Sequence, residues 1–252
     1  MTTGLSTFEV LTAIWAGLAV VIPITAWLKW DPMERIGGTG IGPYIDNRWG
    51  WFVMEIPALL TFPLIYYFSP HRHVVGNVVV AIWIAHYIHR TLIWPWIVPK
   101  RDRGMRIMMC MAGIFFNVVN GCLWGWFIGY IADYATTWLT DPRFVIGVAL
   151  AAGGGGLNIW SDYRISGLRR QNEGEYVIPR GGAFDLVSCP NLLGEIIEWV
   201  GFALLSWSLP GLAFAMWTIA NVAPRALWRH RWYHETFENY PPQRRAIVPG
   251  LI

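Results

Sequence analysis

Two groups of residues in this chain have the types and spacing to do chemistry. The first is set in apolar sequence: Glu55, within WGWFVMEIPALL, and His86, Tyr87, His89 and Arg90, within AHYIHRTLIW. A carboxyl group in apolar surroundings is penalised in its charged form and favours the neutral acid. A neutral acid and a Tyr hydroxyl can together donate hydrogen bonds to a carbonyl whose oxygen gains negative charge. A second reading stands beside that one, in which Glu55 pairs with Arg90 and ties two helices together. His86 and His89 find no third ligand at a spacing that would complete a zinc or iron site, so no metal is expected and both imidazoles are read as packing groups.

The second group falls where an apolar run breaks, between Gly156 and Trp199. Asn158 and Asp162 are four apart, and Ser166 and Arg169 continue the same helical row. Asn191, Glu195 and Glu198 repeat the pattern at i, i+4, i+7, and Arg225, Arg229 and Tyr233 at i, i+4, i+8. A single polar stripe is as readily a solvated helix end or an ion-pair staple. Three stripes on one side favour a shared polar ligand. Guanidinium forks match phosphates and carboxylates accept from hydroxyls, so the mixture suits a dinucleotide. With neither G-x-G-x-x-G nor a P-loop present, the pocket has to be built from helix ends.

The elements that must hold these groups are membrane spans. The chain has 252 residues, of which 55% are hydrophobic and only 14% charged, with 17 Trp, a composition that excludes both a soluble domain and a disordered chain. Apolar runs able to cross ~30 Å of hydrocarbon occur at 8–28, 49–68, 74–98, 107–131 and 144–160, with shorter ones at 192–209 and 211–222. The expected fold is therefore an all-α bundle of seven transmembrane helices. No Lys or Arg precedes the first run and no small-x-small cleavage pattern follows it, so it reads as a span.

With the amino terminus outside and the carboxyl terminus cytosolic, sixteen of the nineteen Lys and Arg residues fall on the inner side, which is the positive-inside arrangement. The net charge of +3 reflects this topology; no basic run with interleaved aromatics points to nucleic acid, and no obligate protein partner is evident. Three cysteines, Cys110, Cys122 and Cys189, exclude a disulfide framework.

No repeat and no Pro/Gly/Ser-rich linker divides the chain, so 1–252 reads as one membrane-embedded domain, with 156–252 carrying most of the cofactor-binding motifs. Gly37–Gly42 reads as a cytosolic loop. Ala152–Gly156 lets either a helix or a ligand approach closely. Arg164–Pro190, punctuated by Gly174, Pro179, Gly181 and Gly182, reads as a cytosolic connection that serves as a lid.

WFVMEIPALL, HYIHRT, GLNIWSDY, YVIPRGGAFDLVS, PNLLGEIIEWVGFALLSWSLP and FENYPPQRRAIVPGLI resemble the steroid 5α-reductase family, and among its members a bacterial one. The resemblance runs from Trp49 onward and is densest after Asn158. It implies a seven-helix bundle with NADPH bound on the cytosolic side and a lipophilic, steroid-like substrate entering from the bilayer. By motif position it implies Glu55 and Tyr87 as the catalytic pair, with Trp51 beside them against the substrate. It further implies Asn158, Asp162, Arg169, Tyr176, Asn191, Glu195, Arg225, Arg229 and Tyr233 as cofactor-binding positions. Met54 stands where steroid-reducing relatives carry Gln, and Arg229 where they carry His.

The expected reaction is NADPH-dependent reduction of the Δ4 double bond of a 3-oxo-Δ4-steroid, in a multi-pass protein of a bacterial inner membrane or of the endoplasmic reticulum. Reduction of an enoyl thioester or polyprenoid lipid on the same fold is the alternative. A membrane methyltransferase needs no carbonyl-polarising acid, and a transporter would be expected to show an internal repeat.

Overall fold

The computed structural model describes residues 6–28, 43–98 and 104–251; the expected Gly37–Gly42 loop lies outside them. Seven long helices occur among the described residues. They are α1 (Thr7–Leu28), α2 (Asn47–Tyr67), α3 (Val74–Ile97), α4 (Ile107–Ile131), α5 (Pro142–Gln171), α6 (Pro190–Ser206) and α7 (Leu209–Thr236). A two-residue antiparallel pair, β1 (Tyr44–Ile45) with β2 (Met105–Arg106), leads into α2 and α4.

Local chemistry sets the helix starts. The Asp46 carboxylate accepts from the backbone N–H of Arg48 at 2.9 Å, the His73 ring from Gly76 at 3.0 Å, and the Ser208 hydroxyl from Gly211 at 3.1 Å. Each satisfies a donor that the first helical turn leaves open. Pro142 and Pro190 open α5 and α6, where a missing N–H costs nothing.

Among the described residues four helices, α2 to α5, are long and apolar enough to cross a membrane, which is compatible with a multi-pass membrane protein. The helix ends match the apolar runs closely, except where polar stripes extend a helix. α5 continues from Trp160 to Gln171 and α7 from Val222 to Thr236. The expected cytosolic connection therefore begins late: Arg164–Gln171 is helix, Pro190 already belongs to α6, and the non-helical stretch is 172–189 with one short turn at Gly182–Asp185. The same buried row that carries Asn158 and Asp162 keeps the helix packed through Ser166.

The chain divides into two compact units, Met1–Trp30 with Pro142–Ile252, and Asp31–Asp141. In the first, α5 and α6 run antiparallel along a seam of glycines two turns apart. A Cβ added at Gly194 would lie 2.5 Å from Asn158 N and 2.6 Å from Gly154 O; one at Gly201 would lie 2.5 Å from Ala151 N and 2.7 Å from Gly147 O. Backbone thus meets backbone, and the small residues of 152–156 divide by face: Gly154 and Gly155 abut α6, while Gly153 and Gly156 face open space.

The end of this unit is closed by the tail. Ser188 N donates to Arg245 O (2.8 Å), Cys189 N to Ala246 O (3.1 Å) and Arg245 N to Leu186 O (3.1 Å). Cys189, Leu192, Val222, Ala226 and Ile247 form the core beneath.

In the second unit α2 packs antiparallel to α3 and parallel to α4. Tyr66 Oη donates to Asn77 Oδ1 (2.9 Å), Trp83 Nε1 to Ala58 O (2.7 Å), and the Arg90 guanidinium lies 4.6 Å from the Trp51 ring centroid. These partners run in opposite directions along the two helices.

Candidate active site

That antiparallel register settles the level of the first chemical group. Ala58 and Trp51 on α2 face Trp83 and Arg90 on α3; Glu55 sits midway along the first interval and Tyr87 midway along the second. The two side chains therefore occupy one level of the unit although they are distant in sequence. Both are buried, Glu55 at 8% and Tyr87 at 4% exposure. The Tyr87 ring packs on Trp83 at 4.6 Å and on His86 at 4.9 Å, so two aromatic faces fix its direction. Beyond it the helix widens: Trp94 N–H reaches back to His89 O, five residues away, just before Pro95. Such π turns are frequent at functional sites.

Trp51 lies one turn before Glu55. Its indole Nε1 is buried with no hydrogen-bond partner among the described residues, and its ring carries the Arg90 cation. The sequence did not single out Asn117 of α4, which donates from Nδ2 to Met54 O at 2.8 Å and to Glu55 Oε2 at 3.3 Å. Met54 itself packs against Gly113.

The second group assembles in the other unit. Asn158 Nδ2 donates to Asn191 O (2.9 Å) and Asn191 Nδ2 to Asp162 Oδ1 (2.8 Å), joining α5 to the first turn of α6; all three residues are at most 8% exposed. The Arg169 guanidinium stacks 4.2 Å from the Tyr176 ring centroid. A recess between them is bounded by Arg169, Tyr176, Pro179 and Tyr233.

Arg229 joins the same neighbourhood. Burial opposes its charge, yet Cys189, Tyr233, Tyr176 and Asp162 lie close enough to raise its proton affinity above the usual value. Burial pushes the Tyr233 phenol up to about 12, with Arg229 pulling it down, so it remains a hydroxyl donor. Its ring stacks on Tyr240 at 5.1 Å.

Asn158, Asp162, Arg169, Tyr176, Asn191, Arg229 and Tyr233 are thus brought to one region. Glu195 is half-buried on α6, and Arg225 is exposed, its Nε donating to Asn221 O and its charge felt at Cys189 together with that of Arg229. Glu198 belongs instead to the seam, its carboxylate against Gly155. The sequence also passed over a buried triad in which Ser188 Oγ lies 2.6 Å from both His230 Nδ1 and Tyr240 Oη. It locks the tail to α7. Among the described residues no group of three or more His, Cys, Asp or Glu could hold a metal ion.

The arrangement suits an anionic ligand with neutral polar parts. Asn191 Oδ1 is a buried acceptor with no partner among the described residues, which fits a ligand hydroxyl or amide N–H. A profile of the family described as 3-oxo-5-alpha-steroid 4-dehydrogenase matches residues 103–252. The chain is also 38% identical over 226 residues to 3-oxo-5-alpha-steroid 4-dehydrogenase 1 of Rattus norvegicus, covering 88% of this chain and 86% of that one.

The chain belongs to this family. It is 40% identical over 215 residues to 3-oxo-5-alpha-steroid 4-dehydrogenase 2 of Homo sapiens, covering 82% of each chain. Along 95% of its length it matches Steroid 5-alpha-reductase DET2 of Arabidopsis thaliana, 38% identical over 249 residues and 94% of that protein. These relatives are animal and plant proteins and lend no support to a bacterial source. Membership makes the protein an oxidoreductase acting on carbon–carbon bonds, a reaction that draws its two electrons from a nicotinamide cofactor.

Proposed function

We propose that this protein reduces the Δ4 double bond of 3-oxo-Δ4-steroids with NADPH, yielding 5α-reduced 3-oxosteroids. The observation that carries the mechanism is the burial of Glu55 and Tyr87 at one level on adjacent antiparallel helices. Both donate hydrogen bonds to the 3-keto oxygen. As the β-carbon is reduced, the electron pair of the double bond shifts toward that oxygen, and donors already aimed at it stabilise the enolate without reorganising. The α-carbon then takes a proton. NADPH, when bound, supplies the hydride. Trp51 borders the steroid beside Glu55, and the substrate reaches the pair from the bilayer.

Arg169, Arg225 and Arg229 hold the cofactor phosphates, since the planar guanidinium fork suits them. Asn158, Asp162, Asn191 and Glu195 serve the ribose and amide groups, and Tyr176 and Tyr233 flank the recess. In this reading α1, α6 and α7 complete a seven-span bundle acting as one reductase domain, amino terminus outside and carboxyl terminus cytosolic.

Tyr87→Phe removes one hydroxyl and Glu55→Leu the carboxyl donor. In purified protein each lowers steroid turnover by ~10²–10³, the usual effect of losing an oxyanion donor, while NADPH affinity stays unchanged. Near-wild-type single-turnover reduction by folded Tyr87→Phe would overturn the mechanism. A Glu55→Leu variant that loses melting temperature but keeps turnover per folded molecule would reassign Glu55 to the helix staple.

A further inference from the structure

Every fourth residue of α4 from 113 to 129 faces α2, and four of these five are glycine. A Cβ added at Gly121 would meet Thr61 at 2.7 Å, at Gly125 Ile65 at 2.6 Å and at Gly129 Ser69 at 2.6 Å, while Gly113 faces Met54. The partners climb α2 as the row climbs α4, so the helices run parallel with their backbones almost in contact. One position in this row carries a side chain. It is Asn117, 5% exposed, at the level where α2 presents Met54 and Glu55.

An Asn in apolar sequence costs several kcal/mol if it is left unpaired, and packing alone is served here by glycine. The amide is spent on two acceptors. Because a backbone carbonyl only accepts, the 2.8 Å contact with Met54 O identifies the amide nitrogen, and that same nitrogen faces Glu55 Oε2 at 3.3 Å. A protonated carboxyl has one hydroxyl oxygen and one carbonyl oxygen. An N–H aimed at Oε2 favours that oxygen as the carbonyl acceptor and Oε1 as the hydroxyl. It also resists rotation about the terminal carboxyl torsion, which is otherwise broad and two-fold.

We propose that Asn117 is a positioning residue for the reduction: by donating to Glu55 Oε2 it fixes the acid as a donor through Oε1 toward the keto oxygen. This rests on the reading of Glu55 as a carbonyl-polarising acid. Asn117 touches neither substrate nor cofactor in this role and acts only through Glu55.

The test is a double-mutant cycle on kcat, using full-length protein in detergent with NADPH and a 3-oxo-Δ4-steroid, with melting temperature and NADPH affinity measured in parallel. Asn117→Leu keeps the bulk and removes the donor. It is expected to lower kcat roughly tenfold or more, the usual cost of removing a group that orients a functional side chain, with NADPH affinity unchanged. In the Glu55→Leu background the same substitution should lower kcat no further, because there is no carboxyl left to orient.

Equal losses in both backgrounds would make Asn117 a structural residue and overturn the proposal, as would wild-type kcat in Asn117→Leu. If Asn117→Leu does not fold, Asn117→Ala, a small residue like the glycines of the same row, removes the same donor without adding a charge and is read the same way. Wild-type turnover in Glu55→Leu would instead remove the acid reading on which this rests, an outcome the cycle separates from failure at Asn117.

Discussion

Gly194→Ala adds one methyl group where α5 and α6 have no space for it. The new Cβ would sit 2.5 Å from Asn158 N and 2.6 Å from Gly154 O. Carbon contacts settle near about 3.5 Å, so the helices must part by roughly 1 Å. The bonds crossing this interface, Asn158 Nδ2 to Asn191 O at 2.9 Å and Asn191 Nδ2 to Asp162 Oδ1 at 2.8 Å, would then stretch beyond hydrogen-bond range. Overpacking costs about 1–3 kcal/mol, and a buried polar group left unpaired about 1–3 kcal/mol more. Both outweigh the ~0.8–1.0 kcal/mol by which Ala exceeds Gly in a helix.

Gly153→Ala is the matched control, since nothing lies within 4 Å of its added Cβ and only the helix gain remains. Thermal denaturation of the purified proteins should show Gly194→Ala melting well below wild type and Gly153→Ala at or above it. A fluorescence titration should show NADPH bound more weakly by Gly194→Ala. Equal melting shifts at the two glycines would refute the seam as the device that aligns the Asn158–Asn191–Asp162 network.

Three further outcomes are expected. Asp162→Ala and Asn191→Ala should each weaken NADPH binding in folded protein, and unchanged affinity in both would remove the cofactor from this end of the unit. Residues 172–189 should exchange their amide hydrogens more slowly when NADPH is added, as a lid requires; equal protection with and without cofactor excludes closure. Burial, His234 and Arg245 hold the His230 pKa below its ordinary value, so the unfolded chain binds this proton first as pH falls. Stability is then complete above about 6.5, the unfolded value, and declines as pH drops toward the folded pKa. Ser188 and Tyr240 touch the same ring, and a His230→Gln variant should flatten this acid limb of the melting profile.

The helices were legible because apolar runs long enough to cross hydrocarbon have few other uses, and their ends fell within a few residues of expectation. The exceptions are α5 and α7, where polar residues at helical spacing continue the helix past the end of the apolar run. The Asn158, Asp162 and Arg169 row was visible as periodicity; that Asn158, Asp162 and Asn191 hydrogen-bond to one another across the α5–α6 interface was not, because a stripe does not tell which of its members turns inward. Asn117 was hidden for the opposite reason. It interrupts no run, and its meaning depends on a carboxylate 62 positions away. The signal was the four-residue spacing of glycines around it, read along α4. The Ser188, His230 and Tyr240 triad has no periodic signature, since it joins three segments separated in sequence.

The pairing of 186–189 with 245–246 has a consequence for biosynthesis. The segment leading into α6 takes its backbone partners from residues translated after α7, so this edge cannot close until α7 and 245–246 have been made. The helices can enter the membrane one after another, but the start of α6 beside Asn191 gains this support only then. Replacing Arg245 and Ala246 by prolines, which removes the Arg245 N–H donor to Leu186 O, would therefore leave the helices in place and loosen the start of α6.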